Sequence, residues 1–191
     1  MSAMAYYTIG GVLVAVSYIT FLYNRLVTLK NNVRQGWANI EVLLKQRHDE
    51  LPKLVAACQQ YMGYEQQTLG QIVAARGAVL KARNQKDMKA LGAAEADLHA
   101  GISQLFALAE NYPDLKTMQS FLQLQDRISG LENTIADKRE LYNDSVNSNN
   151  IQIEQFPDMI IANFFKFEAF SLLEVAPADK QDVDMKALFK E

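Results

Sequence analysis

Apolar side chains recur every three or four residues along most of this chain, and no long stretch alternates with a period of two. This spacing predicts α-helices rather than strands. Four apolar stripes follow one another, and turns predicted at the polar stretch 83 to 87 and at the proline-containing stretch 111 to 114 separate the last three. The stripes are Leu26, Leu29, Val33, Trp37, Ile40, Leu44, Leu51, Leu54, Cys58 and Tyr61; Leu69, Ile72 and Val79; Met88, Leu91, Leu98, Ile102, Leu105 and Ala109; and Phe121, Ile128, Ile135 and Tyr142.

The first stripe predicts a helix over about residues 24 to 62, and it contains one proline. Pro52 lacks a backbone N–H and its ring crowds the preceding turn. We therefore expect a kink in this helix near His48.

The fourth helix contains an unusual stretch, KRELYNDSVNSNN, at residues 138 to 150. Asparagine and serine compete with the helical backbone for hydrogen bonds, so such a composition usually marks a turn. The heptad spacing, one stripe position every seven residues from Phe121 through Tyr142 and Asn149 to Phe156, nevertheless continues through this stretch without interruption. The pattern predicts a continuous helix that starts after an N-cap at Asp114 and ends at Pro157.

After this helix comes an aromatic-rich segment, MIIANFFKFEAF, at residues 159 to 170. It either caps the helices or contacts a partner or the membrane surface. An acidic segment at residues 171 to 191 then reads as a flexible tail.

The N-terminus predicts a membrane anchor. Residues 1 to 24 carry no charged side chain, and AYYTIGGVLVAVSYITFLY, at 5 to 23, is about long enough to span a hydrocarbon core. A cleaved signal peptide would place basic residues before its apolar run, and none stands there. Three basic residues, Arg25, Lys30 and Arg34, precede the first acid, Glu41, so the positive-inside rule favours an outer N-terminus and a cytoplasmic C-terminal domain.

These elements predict an all-α protein in which an N-terminal transmembrane helix continues into an antiparallel four-helix bundle with long first and last helices. The predicted parts are an anchor at 1–24, a helical bundle at 25–170 and a tail at 171–191. Short connections between amphipathic helices favour this arrangement.

Composition narrows the choice of function. Apolar residues make up 49% of the chain, enough for a core, and 19 basic against 22 acidic residues give a net charge of −3. No basic stripe exists, so nucleic acid is not an expected partner. The single cysteine, Cys58, excludes an intrachain disulfide and a four-thiolate metal site.

A helical bundle also raises the possibility of a di-metal carboxylate site. Such sites need Glu-x-x-His motifs, and neither His48 nor His99 follows a glutamate by three residues. The sequence has no glycine-rich phosphate loop, nucleophile elbow or zinc-type ligand pair. We therefore expect that the protein is not an enzyme and that it binds neither a metal ion nor a cofactor.

Polar residues at positions that belong to the apolar stripes are the remaining unusual feature. Acids and bases at matching places on different helices favour ion pairs that fix which helix meets which. A ligand-binding cleft is the alternative. The predicted inter-helix network consists of Arg47, Glu65, Arg76, Glu132, Arg139, Asn143 and Asn149.

The sequence resembles the LemA family of bacterial membrane proteins. The resemblance rests on Trp37, QRHDELPKLV at 46 to 55, YEQQTLGQIVAARGAV at 64 to 79, ENYPDLKTMQSFLQLQDRISGLENTIADKRELYNDSV at 110 to 146, and FP at 156 to 157. One departure is that Ser148 stands where LemA sequences commonly have the tyrosine of a second Tyr-Asn pair. The resemblance implies a single N-terminal anchor in the bacterial inner membrane and a cytoplasmic bundle of long helices, and it implies no catalytic or cofactor residues.

Two functions remain open at this point. The first is a membrane-anchored scaffold that works by self-association or by binding other membrane proteins, with the lipid bilayer as its obligatory surroundings. The second is a sensor or small-ligand-binding bundle that signals to the membrane through its kinked first helix.

Overall fold

The computed structural model describes residues 3–174, and this part of the chain is helical and contains no strand. Most of the predicted tail, from residue 175 onward, lies outside the described residues. The helices are α1 (Ala3–Gln59), α2 (Gln66–Gln85), α3 (Met88–Ala109), α4 (Pro113–Thr117), α5 (Gln119–Glu154) and α6 (Asp158–Phe164).

The predicted anchor and the predicted first helix form one continuous helix, α1, of 57 residues. It includes Pro52 and ends at Gln59, three residues earlier than expected. The carbonyl of Cys58 accepts hydrogen bonds from the backbone N–H groups of Tyr61 and Met62, so the turn after the helix closes on its last carbonyls.

Helices α2 and α3 pack along each other and are joined by a tight turn. Lys86 adopts a left-handed conformation, with φ 54°, and ends α2. The Asp87 carboxylate caps α3 by accepting a hydrogen bond from the backbone N–H of Ala90 at 3.0 Å. The turn predicted at residues 83 to 87 is therefore shorter in the structure, because α2 continues to Gln85.

The predicted start of the fourth helix was wrong. Pro113 begins a separate five-residue helix, α4, in which Asp114 lies inside the first turn while Tyr112 occupies the N-cap position. Proline suits the first helical position because its missing N–H has no partner to lose there. The chain then turns extended at Met118, with ψ 117°, before α5 begins.

Helix α5 continues through residues 138 to 150, as the heptad spacing predicted. Phe121, Ile128, Ile135, Tyr142 and Asn149 are all buried along it. The next position in the series, Phe156, is 78% exposed because α5 has already ended at Glu154. The buried stripe therefore stops one heptad earlier than predicted.

The chain forms two compact units. Among the described residues, the first consists of residues 3 to 40 and 138 to 172, and the second consists of residues 41 to 137 together with 173 and 174. In the first unit, Leu22 and Leu26 of α1 pack against Ile161 and Ala162 of α6. The second unit has its own apolar interior, built from α2, α3 and parts of α1 and α5.

In the second unit the backbone at residue 174 lies so close to α3 that only glycine fits beside it. A Cβ atom at Gly92 would overlap the carbonyl oxygen of Glu174, whereas a Cβ atom at Gly77 of α2 would meet open space. We expect Gly92→Ala to destabilise the protein by roughly 1–3 kcal/mol through overpacking. Gly77→Ala should stabilise it by about 0.5–1 kcal/mol, since alanine favours the helix.

Thermal unfolding of both full-length variants in the same detergent checks this pair. Equal shifts of the two melting temperatures, in either direction, would contradict the close approach at Gly92.

Candidate functional site

The second unit contains a buried ionic cluster, defined here as Arg47, Glu95, Glu132 and His99. Arg47 of α1 is 2% exposed. Its Nη2 donates to both carboxylate oxygens of Glu95 on α3, at 2.5 and 2.6 Å, and its Nη1 donates to Glu132 on α5, at 2.5 Å. One guanidinium thus ties together three helices, with the strength of charge-assisted hydrogen bonds.

His99 extends the cluster towards solvent. Its Nδ1 lies 2.8 Å from the second carboxylate oxygen of Glu132, and its side chain is 55% exposed. Arg47 contributes one positive charge to the cluster, and Glu95 and Glu132 contribute two negative charges.

The two carboxylates keep Arg47 charged. Burial alone would lower its pKa, but Glu95 and Glu132 together outweigh burial and raise the pKa above its ordinary value. The Nε atom of Arg47 is buried and has no hydrogen-bond partner within residues 3–174. The cluster is therefore held by four of the five guanidinium hydrogens at most.

A second polar contact in the same unit joins α1 to α2. Arg76 Nε donates to the backbone carbonyl of His48 at 3.0 Å, and Arg76 Nη2 lies 2.7 Å from His48 Nε2. A guanidinium can only donate, so His48 Nε2 must be the acceptor and the imidazole must be neutral. Burial and the nearby Arg76 lower the pKa of His48, with Arg83 adding to the effect and Asp49 opposing it.

This contact predicts a dependence of stability on pH. Because the pKa of His48 is lower in the folded than in the unfolded protein, the unfolded state takes up the proton first as the pH falls. The free energy of unfolding should therefore decrease as the pH falls from about 7 to about 5. His48→Gln, which retains an acceptor but cannot titrate, should show a flatter profile in urea unfolding; identical profiles would contradict the assignment.

The predicted network residues fall into different environments. Arg47 and Glu132 contact each other directly. Glu65 accepts a hydrogen bond from the hydroxyl of Tyr112 at 3.3 Å. The pKa of Tyr112 is raised, chiefly by desolvation and to a smaller extent by Glu65. Arg76 binds His48, as described above. Neither Glu65 nor Arg76 forms an ion pair in the part of the chain that the structure describes.

The other predicted residues, Arg139, Asn143 and Asn149, belong to the first unit. Arg139 and Asn143 are half-buried on α5, and Arg139 forms no ion pair among residues 3–174. Asn149 is 1% exposed, and its side-chain amide lies 3.4 Å from the carbonyl oxygen of Glu168. The backbone group that Asn149 contacts thus belongs to an irregular segment and not to another helix.

Sequence reasoning missed Glu95 and His99. Glu95 stands between Leu91 and Leu98 within the third apolar stripe, which is the same signal that singled out Arg47. No base at a matching spacing on its own helix face indicates a partner for it. His99 follows Glu95 by four residues, on the same side of α3, but its exposure gives it no signal in the apolar pattern.

In the first unit, asparagines of α5 hold the segment that follows α6, defined here as the return segment, residues 165 to 172. The Asn150 side-chain N donates to the carbonyl of Phe170 at 2.9 Å, and the Asn150 side-chain O accepts from the N–H of Phe170 at 3.0 Å. The hydroxyl of Tyr142 donates to the carbonyl of Ser171 at 3.0 Å, and burial raises the pKa of this tyrosine. Asn150 therefore holds the return segment against α5, and this pair of hydrogen bonds is called here the asparagine clasp.

The polar composition of KRELYNDSVNSNN thereby has a physical reason. The backbone N–H groups of the return segment up to Phe167 donate to carbonyls of α6, but beyond Phe167 the segment is neither helix nor strand, so its backbone groups need other donors and acceptors. Asparagine supplies one of each on a short side chain. The small helical propensity that asparagine sacrifices is offset by these bonds.

Both carboxylates of the ionic cluster are engaged by Arg47. Residues 3–174 contain no group of three or more His, Cys, Asp or Glu side chains placed to hold a metal ion. Through its two ion pairs Arg47 joins α1 to α3 and to α5.

Helix α1 also carries a segment near the N-terminus that is long and apolar enough to cross a membrane. From Tyr6 to Phe21 every side chain is exposed, on all sides of the helix. Tyr7 is 81% exposed and Val14 is 71% exposed. A helix that is apolar all round is typical of a membrane span or of a core helix, and these side chains have no core around them.

The comparison with protein families decides the classification. The model of the LemA family matches residues 36–186, which is most of the chain. The chain belongs to the LemA family. The match begins within α1, after the apolar segment, and includes the ionic cluster and the asparagine clasp.

Curated relatives of this LemA chain include three magnetosome proteins. MamQ 2 and MamQ 1 of Paramagnetospirillum magneticum and MamQ of Magnetospirillum gryphiswaldense are each 22% identical to it over 206 residues. Each alignment covers 94% of this chain and 76% of the relative. With so little left out, the alignments include at least part of the apolar N-terminal segment.

Proposed function

We propose that this LemA-family chain is a membrane-anchored scaffold or interaction module that acts through association, either with further copies of itself or with other membrane proteins. Its anchor is residues 1–24, and its working part is the helical region 25–170. The tail at 171–191 completes the proposed division of the chain.

The observation that carries the proposal is the change along α1. Its N-terminal side chains are exposed and apolar on all sides, whereas Leu44, Arg47 and Leu51 of the same helix are buried. Lipid can cover the first set, and protein covers the second. A single helix therefore links the proposed membrane span to the ionic cluster.

We also propose that the helical region 25–170 is an antiparallel four-helix bundle. Connections of a few residues separate α1 from α2 and α2 from α3, and connections of this length favour antiparallel neighbours. The contacts from Arg47 to Glu95 and Glu132, and from His48 to Arg76, link all four long helices within one compact unit. Such an ionic cluster specifies register more than it adds stability.

The proposed orientation places the N-terminus outside and the helical region in the cytoplasm of a bacterial cell, at the inner membrane. Arg25, Lys30 and Arg34 follow the apolar segment before any acid does. Basic residues that flank a span are retained on the cytoplasmic side.

The relatives support association over catalysis. They are named for the magnetosome and not for a reaction. Carried over to this chain, that name favours a part in building or organising an assembly at a membrane.

Gentle detergent extraction of full-length protein, after crosslinking in intact membranes, followed by mass measurement, tests the proposal. The expected species is larger than the 21.5 kDa chain, as a multiple of it or as a complex with other membrane proteins. Extraction in denaturing detergent without crosslinking is the control and should give the single chain. A strictly monomeric protein without partners in crosslinked membranes would contradict the scaffold function.

A further inference from the structure

The first unit exposes a patch of large apolar side chains around α6, called here the α6 surface. It consists of Phe156 (78% exposed), Met159 (41%), Ile160 (55%), Phe164 (78%) and Phe165 (49%). Five such side chains within ten residues are more closely grouped than the scattered apolar residues of a soluble surface, and such a group is typical of a surface that a partner or a membrane covers.

Helix α6 exposes large apolar side chains and buries its acid. Asp158 is 3% exposed, and one of its carboxylate oxygens is buried without a hydrogen-bond partner within residues 3–174. Ile161 and Ala162 are buried as well, but Ile160 and Phe164, one turn apart, are exposed. A helix that faces water exposes its charges, whereas proteins in membranes turn apolar side chains to lipid and charges inward.

The position of α6 identifies which apolar environment is at hand. Ile161 and Ala162 pack against Leu22 and Leu26 of α1. The ring of Tyr23 lies 4.7 Å from that of Phe165, and the interplanar angle is 57°. These α1 residues form the turn in which the apolar span ends, so α6 lies beside the point where the helix leaves the membrane.

Cationic side chains stand at the same level. The ammonium of Lys30 lies 5.4 Å from the centre of the Phe167 ring, and Arg25 and Lys166 are exposed. Aromatic rings with nearby lysine and arginine are typical of the boundary between lipid chains and headgroups. Glu168 on the return segment is an exposed acid of the same unit. The surface therefore carries charges of both signs, and basic residues predominate beside the apolar segment of α1.

We propose that the bilayer itself covers the α6 surface, so that α6 is a second membrane contact lying in the interface beside the transmembrane helix. This inference rests on the proposed membrane anchor. The continuity of the patch with the span favours lipid over a second copy of the chain or another protein. The chain would then touch the membrane twice, at its first helix and again about 140 residues later.

Electron paramagnetic resonance of spin-labelled full-length protein tests the proposal in vesicles of phosphatidylethanolamine and phosphatidylglycerol. Cysteine variants at Ile160 and Phe164 are compared with Val14→Cys in the span and Val73→Cys, a 53% exposed apolar position on α2. The native thiol stays unlabelled, since Cys58 is fully buried and burial raises its pKa to about 11. Circular dichroism confirms that each variant keeps its helices.

Labels at Ile160→Cys and Phe164→Cys should collide with lipid-soluble oxygen several-fold more than with a water-soluble nickel chelate, as the label at Val14→Cys does. The label at Val73→Cys should favour the nickel chelate. Labels at 160 and 164 that behave like the one at 73 would overturn the inference, and so would labels shielded from both reagents, which indicates cover by protein. Loss of oxygen preference at 14 would instead overturn the anchor itself.

Discussion

Replacing Arg47 by methionine should cost about 3 kcal/mol or more of the free energy of unfolding, near the lower end of the range for breaking a buried ion pair. The variant leaves Glu95 and Glu132, with side chains 10% and 15% exposed, without their shared counter-charge. The lower end of the range applies because Glu132 retains some contact with water and a neighbour in His99.

The matched control for Arg47→Met is Arg127→Met. Arg127 also pairs with a glutamate, Glu50, but at 3.4 Å and with a side chain that is 65% exposed. Its loss should cost less than about 1 kcal/mol. Urea unfolding of the full-length variants in detergent, followed by far-ultraviolet circular dichroism, gives both values.

Removing the carboxylates together with the arginine should restore much of the loss. The triple variant Arg47→Met, Glu95→Gln, Glu132→Gln has no charged side chain left at the buried centre of the ionic cluster. Arg47→Lys should fall between the parent and Arg47→Met, because an ammonium keeps the charge but cannot donate in the planar fork that Glu95 receives. An Arg47→Met protein within about 0.5 kcal/mol of the parent would show that the cluster is not a structural element.

The second large effect concerns Asn150. Asn150→Ala removes both hydrogen bonds to the backbone of Phe170, at about 1 kcal/mol each, and gains up to about 0.7 kcal/mol in helix propensity. The net expected loss is about 1–2 kcal/mol. The return segment should also become more sensitive to limited proteolysis.

Asn147→Ala is the internal control, since Asn147 is exposed on the same helix three residues earlier. It should stabilise the protein slightly, because alanine is the better helix former. The two substitutions are chemically identical, and the structure predicts opposite signs for them. Equal effects in thermal unfolding would show that the clasp at Asn150 contributes nothing.

The helices themselves were largely predictable. Apolar spacing gave α2, α3 and the long course of α1, because one-sided burial leaves a period that local sequence records. The heptad spacing through Tyr142 and Asn149 correctly indicated that α5 continues where its composition suggested a turn. In that stretch burial outweighs propensity.

The break at Met118 and the role of Asn150 were not predictable in the same way. The extended backbone at Met118 has no composition signal beyond Pro113, which was assigned to a turn. Asn150 meets Phe170 only because the chain returns along α5 after α6. A partner twenty residues away across an irregular segment leaves no periodic trace.

The ionic cluster was partly visible from the sequence. Arg47 and Glu132 stood out because charges interrupt apolar stripes, and they do contact each other. Glu95 interrupts its stripe in the same way, but no base at a matching spacing indicates its partner. Which charges pair depends on the rotation of each helix, and that is set by the packing of all of them together.

Alkaline carbonate extraction of bacterial membranes that contain the full-length chain is the most direct test of membrane anchoring through residues 1–24. Spanning proteins resist it, whereas proteins held at the surface are released. We expect the wild-type chain to stay with the membranes. The double variant Leu13→Arg with Val14→Arg, in which each arginine costs about 2.5–3.5 kcal/mol at the centre of a span, should shift to the soluble fraction. Release of the wild-type chain by carbonate would contradict anchoring through residues 1–24.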